Sequence, residues 1–191
     1  GATTRNDNSP LPPQITSIQG DMAYQGLNIQ YHPKLAAAKN VSGTGTYDGV
    51  NLILNVNESV IGDMTTKDAV LEFKNLIPKG SGLASLVFPI NASAQAVFDY
   101  ISVDPINAFK NTAFKPKNTT GNVTATVTMN FPIMDDMPID KLDLTVDGKL
   151  NNAEIDNVIG TLGVTGGPYE IIATMKDIKI SGDGNIAGQP I

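Results

Sequence analysis

Apolar and polar residues alternate with period two along most of the chain from Ile15 onward. The cleanest run places Val123, Ala125, Val127, Met129, Phe131 and Ile133 between Thr124, Thr126, Thr128 and Asn130. A second sets Leu142, Leu144, Val146 and Leu150 against Asp143, Thr145, Asp147 and Lys149. Side chains of a strand point alternately to opposite faces, so each run predicts one apolar and one wet face. Threonine suits the wet face of a strand and disfavours a helix. Parallel strands buried on both faces would be apolar throughout, so the pattern predicts antiparallel strands with one face in water.

Glycines punctuate these runs at a recurring spacing. Gly20 and Gly26, Gly43 and Gly49, and Gly182 and Gly188 each stand six residues apart, and 148–152 resembles the same unit with a bend at Asn151-Asn152. Gln25-Gly26 and Asp48-Gly49 read as tight hairpin turns, and the earlier glycine of each unit as a bulge or a close backbone approach. The unit predicts a meander of similar hairpins. One segment departs from it. Residues 91–101 read as a helix capped by Asn91 or Ser93, with Val97, Phe98 and Ile101 on one side. Asp104-Pro105 reads as the start of a second short helix burying Ile106, Ala108 and Phe109. Residues 1–13, polar with three prolines, read as a flexible arm or linker, and 14–191 as a single β-rich domain. The expected fold is mainly β: an antiparallel meander forming a curved sheet or groove, with a short helical insert.

Composition narrows the chemistry. The 191 residues carry a net charge of -6, a poor basis for binding nucleic acid through its phosphates. There is no Cys, which removes thiol nucleophiles and thiolate metal sites, and His32 is the only histidine. Five Asn-x-Ser/Thr triplets, at Asn40, Asn57, Asn91, Asn118 and Asn122, are read either as products of an Asn-rich composition or as glycosylation acceptors. Asp135-Asp136 is a solvated loop pair without the alternating oxygens of a Ca²⁺ loop, and the Asp, Gly and Asn residues of 181–185 belong to the hairpin unit. Gly43-Thr44-Gly45 is too short for a phosphate loop. No catalytic residue, metal or cofactor is expected. No apolar run is long enough for a transmembrane helix, and Gly1 in the place of Met points to a piece of a longer chain.

That leaves the apolar strand faces. One short helix cannot cover them, so either the sheet seals against itself or it stays open as a groove; periodicity fits both.

The stretch 121–127 through Phe131-Pro132-Ile133, followed by 142–150, resembles the AsmA-like proteins, and within them the YhdP-like branch with its domain of unknown function DUF3971. The strand ending in Phe131-Pro132, the later Gly148-Lys149-Leu150, the terminal run 180–190 and a helical insert ahead of Lys115-Pro116 carry the resemblance, which spans roughly 14–191. Such proteins are anchored in the inner membrane of bacteria with two membranes, project into the periplasm, and are similar to bridge-like lipid-transfer proteins. The resemblance implies a periplasmic, non-enzymatic segment of an envelope protein. Its apolar groove would carry phospholipid acyl chains between inner and outer membrane, and its membrane contact would come from parts of the parent chain beyond this one. The lipid-facing candidates are Val123, Val127, Met129, Phe131, Leu142, Leu144, Val146 and Leu150. The alternative is a structural or adhesive β-domain with a sealed hydrophobic core.

Overall fold

The computed structural model describes residues 18–31, 33–104, 106, 108, 117–186 and 188–190. The predicted arm 1–13, His32, Phe109 and Lys115-Pro116 lie outside the described residues. The strands are β1 (Gly20–Ile29), β2 (Ala38–Tyr47), β3 (Leu52–Ile61), β4 (Met64–Lys74) and β5 (Gly82–Ser93), then helix α1 (Ala94–Ser102). They continue as β6 (Lys117–Ile133), β7 (Asp143–Ile159), β8 (Leu162–Thr174), β9 (Ile178–Ile186) and β10 (Gln189–Pro190). All ten form one antiparallel sheet in chain order, a meander that does not close into a barrel. The mainly β fold with a short helical insert is as the alternation predicts.

Both long alternating runs are strands. β6 spans the whole of the first, and β7 begins one residue after Leu142. Asp48-Gly49 makes the β2–β3 turn: Asp48 Oδ1 accepts from the backbone nitrogens of Val50 (3.0 Å) and Asn51 (2.7 Å), and Gly49 takes φ 102°. These bonds also hold the Asp48 carboxyl below its ordinary pKa, the side chain of Asn51 contributing most.

Two predicted turns are something else. Gly26 (φ 68°) lies inside β1, and Asn152 (φ 52°) inside β7, so both are bulges within continuous strands. The inward set of β7 shows the consequence: Leu150, Ala153 and Ile155 are all buried, so the buried parity switches at Asn152. Asp68 (φ 55°) does the same in β4, between buried Thr66 and Ala69. Every non-glycine residue described with positive φ is Asn or Asp. Their short polar side chains tolerate the left-handed region that other L-residues avoid. Register shifts interrupt six of the strand pairs, from β1–β2 to β8–β9. Each bulge bends and twists its strand. A band of them across the meander curves the sheet.

Of the two caps expected for the helix, Ser93 is the one used, so α1 starts at Ala94 rather than directly after Asn91. β5 continues through Asn91 to Ser93, because Asn91, Ala92 and Ser93 stay in register with Thr124, Val123 and Asn122 of β6. Ser93 is the N-cap, its Oγ accepting from Ala96 N at 3.2 Å. The second helix expected after Asp104 falls largely on residues outside the described ones; of its neighbours, Val103 is extended (ψ 153°), and Ile106, expected to be buried, is 41% exposed.

Two buried clusters share one face of the sheet. Ala94, Val123, Leu150, Ala153, Ile155 and Tyr169 form the first, with Val97 and Phe98 of α1 packed against it. Val41, Val56 and Ala69 form the second, flanked by Tyr24, Leu71 and Phe88. Phe88 pairs with Val127, two inward positions from Val123 on β6, which places both clusters on the same side.

Candidate functional site

Cross-strand partners in an antiparallel sheet share a face, so the register assembles the apolar side chains into rows. One row runs Met22, Gly45, Leu54, Leu71, Leu86, Met129 and Leu144, from β1 to β7. A second runs Phe88, Val127, Val146, Ala173 and Ile178, from β5 to β9. A third runs Tyr47, Leu52, Phe73, Ala84 and Phe131, from β2 to β6. At about 4.8 Å per strand, the six steps of the first row cover about 29 Å, comparable to the roughly 30 Å hydrocarbon thickness of a bilayer. The face can therefore lie along the full length of an acyl chain.

Cover over these rows is uneven. Val123 (8% exposed) and Leu150 (5% exposed) belong to the cluster packed against α1 and are shut away from solvent. Val127, Met129, Phe131, Leu142, Leu144 and Val146 are only half-buried. At the rims, Met22 is 43% and Ile178 59% exposed. Among the described residues no large side chain is fully buried. The eight candidates thus divide into a buried pair in the cluster packed against the helix and six on a half-buried stretch. Their register brings Met129 opposite Leu144 and Val127 opposite Val146.

Glycines give this face its relief. A Cβ on Gly43 would collide with the carbonyl oxygen of Asn55 and stand 2.8 Å from the Tyr24 hydroxyl, so glycine lets Tyr24 lie across β2 and donate to Asn55 O at 3.1 Å. At the other end, Tyr169 takes the space that side chains on Gly182 and Gly184 would fill, and donates to Thr165 O at 2.9 Å. The alternation did not disclose these aromatic covers. The only signal for them was a tyrosine one or two strands from a glycine pair. Nor did it disclose the buried polar residues Ser59, Thr66 and Thr119; Thr66 Oγ1 has no hydrogen-bond partner.

The opposite face is wet. Thr124, Thr126 and Asn130 are exposed, and Lys149 reaches Glu170 at 3.6 Å. A shallow, solvent-open depression there is lined mainly by Thr124, Thr126, Thr128, Thr145, Asp147 and Lys149. Asp135 pairs with Lys79 at 2.8 Å, both in water. Near α1, the hydroxyls of Tyr31 and Tyr100 meet at 2.7 Å and tie the segment after β1 to the helix. Burial raises both phenols above the ordinary value of 10.0, and for Tyr31 the bond to Tyr100 adds to the rise.

Among the described residues no group of three or more His, Cys, Asp or Glu could hold a metal ion, and no helix is long and apolar enough to cross a membrane. No protein-family model, curated protein or solved structure matches the chain.

Proposed function

We propose that this chain is a non-enzymatic lipid-binding module whose uncovered sheet face holds the acyl chains of a phospholipid. The observation that carries the reading is the half-buried apolar surface from Val127 to Val146, continued to exposed Met22 and Ile178, on a sheet one layer thick. Large contiguous apolar surfaces on a soluble domain mark an interaction site. Hydrocarbon is the occupant that best fits this one, since apart from Tyr47, whose hydroxyl donates to Gly49 O, the rows carry only apolar side chains and glycine. Val127, Met129, Phe131, Leu142, Leu144 and Val146 are the contact residues; Val123 and Leu150 anchor the floor beneath α1. The resemblance to AsmA-like proteins supports placing the module in the periplasm as part of a longer, inner-membrane-anchored lipid conduit, with membrane contact made elsewhere in that chain.

Native mass spectrometry of the purified protein, with extraction and identification of co-purifying lipid, tests this. The expected result is a stoichiometric phospholipid adduct. A lipid-free protein that also fails to take up fluorescent phospholipid from vesicles would instead favour a structural or adhesive domain.

A further inference from the structure

β10 pairs with only Asn185 and Ile186 of β9. The outer backbone edge of β9 from Ile178 to Gly184 has no strand partner among the described residues. Such an edge presents a row of N–H and C=O groups ready to accept another strand. Its sequence, Ile178-Lys179-Ile180-Ser181-Gly182-Asp183-Gly184, is complementary to itself when reversed about Ser181. We propose that two copies of this chain associate through β9, antiparallel and centred on Ser181.

The faces match in this register. Ile178 and Ile180 share the apolar face with Ala173 and Ile171, while Lys179, opposite Ile172, and Asp183 lie on the wet face. Reversal about Ser181 puts Lys179 of each copy opposite Asp183 of the other, giving two opposite-charge cross-strand pairs. On the apolar face it puts Ile180 opposite Gly182 and Ile178 opposite Gly184, a large side chain beside a missing one each time. Tyr169 already lies over both glycines, so the incoming isoleucines would pack against its ring. Ile178 and Ile180, 59% and 61% exposed, would leave water. The paired segment ends at Gly184, and among the described residues β10 takes the edge only from Asn185 onward.

The other edge lacks these features. β1 carries a single charge, Asp21, with no basic residue on the strand to meet it, and the Gly26 bulge interrupts its register. A two-fold axis normal to the sheet at Ser181 keeps both apolar faces on the same side. The dimer is then one continuous sheet with a single uninterrupted apolar surface.

Sedimentation equilibrium of the whole chain tests the proposal, with circular dichroism confirming that each variant keeps its strand content. The wild type is expected to dimerise. Lys179→Glu and Asp183→Lys each replace two opposite-charge pairs by like-charge pairs and should weaken the dimer by about tenfold or more. An equimolar mixture of the two variants restores opposite charges at both pairs and should dimerise like the wild type. A wild type that stays monomeric at every concentration, single variants that dimerise as tightly as wild type, or a mixture that stays as weak as its components would each overturn it.

Discussion

Val127→Glu separates an open apolar face from a sealed one. Val127 sits at the centre of β6, opposite Phe88 on one side and Val146 on the other, and is half-buried. Complete burial of a valine is worth about 1.5–3 kcal/mol, so removing half of it costs about 1 kcal/mol. Exchanging valine for glutamate in a strand adds up to about 1 kcal/mol. On an uncovered face the longer glutamate carries its carboxylate to water, and the total stays near 1–2 kcal/mol, a fall in Tm of about 2–8 °C. In a sealed core the charge would be stranded at a cost of several kcal/mol, against a total stability of about 5–15 kcal/mol. Leu150→Glu, at a position 5% exposed in the cluster packed against α1, shows what that looks like and should unfold the domain. Thr128→Glu, next to Val127 but on the wet face, should change Tm by no more than 2 °C or so. Differential scanning calorimetry of the three variants, read beside uptake of fluorescent phospholipid, makes the comparison. A folded Val127→Glu with uptake abolished is the expected result. Unfolding of Val127→Glu to the same extent as Leu150→Glu would refute the open face, and normal uptake by the folded variant would remove Val127 from the lipid path.

Three further outcomes follow from local geometry. Ser93→Ala removes the side-chain N-cap of α1 and should cost about 1 kcal/mol, seen as a fall of about 2–4 °C in Tm. Asn152→Ala forces a Cβ-bearing residue without a polar group into φ 52° and should cost about 1 kcal/mol, whereas Asn152→Gly should be close to neutral; urea titration compares the two. Because Tyr31 and Tyr100 hold their protons more tightly when folded than at the ordinary pKa of 10.0, stability is unaffected by them below that pH and falls as pH rises past about 10. Replacing both by Phe should flatten that alkaline limb in denaturant titrations run from pH 8 to pH 11.

The alternation disclosed the strands, their antiparallel order and the apolar face, because burial on one side of a pleated strand leaves a period-two trace at every position. It could not disclose where that trace changes parity. At Asn152 and Asp68 the inward set shifts by one residue, and the signal is a single left-handed residue that looks in sequence like a turn. Gly26 misleads in the same way: positive φ is shared by hairpin turns and by bulges, and only pairing with a neighbouring strand tells them apart. The Asn-rich composition acquires a physical role here. Asn40 and Asn118, each the first residue of an Asn-x-Ser/Thr triplet, take φ 54° and 46° within β2 and β6, so the backbone itself calls for asparagine at both. The helix boundary stayed open in the sequence because Asn91 and Ser93 are both good caps, and the pairing of β5 with β6 through Ser93 decided between them.

The division of the candidate face follows from where α1 can reach. The helix has nine residues, about 14 Å at 1.5 Å per residue, against a row of about 29 Å measured across β1 to β7. It is joined directly to the end of β5, so it falls on the parts of β6, β7 and β8 that carry Val123, Leu150 and Tyr169. Those residues became a conventional buried cluster. Met129, Leu144, Val127 and Val146 lie along the same strands, outside the cluster packed against the helix, and are only half-buried. Identical periodicity therefore encodes two environments on one strand, a buried one packed against α1 and a half-buried one outside that cluster. A charge at Leu150 and a charge at Val127 are the same substitution in the sequence pattern and opposite experiments in the structure.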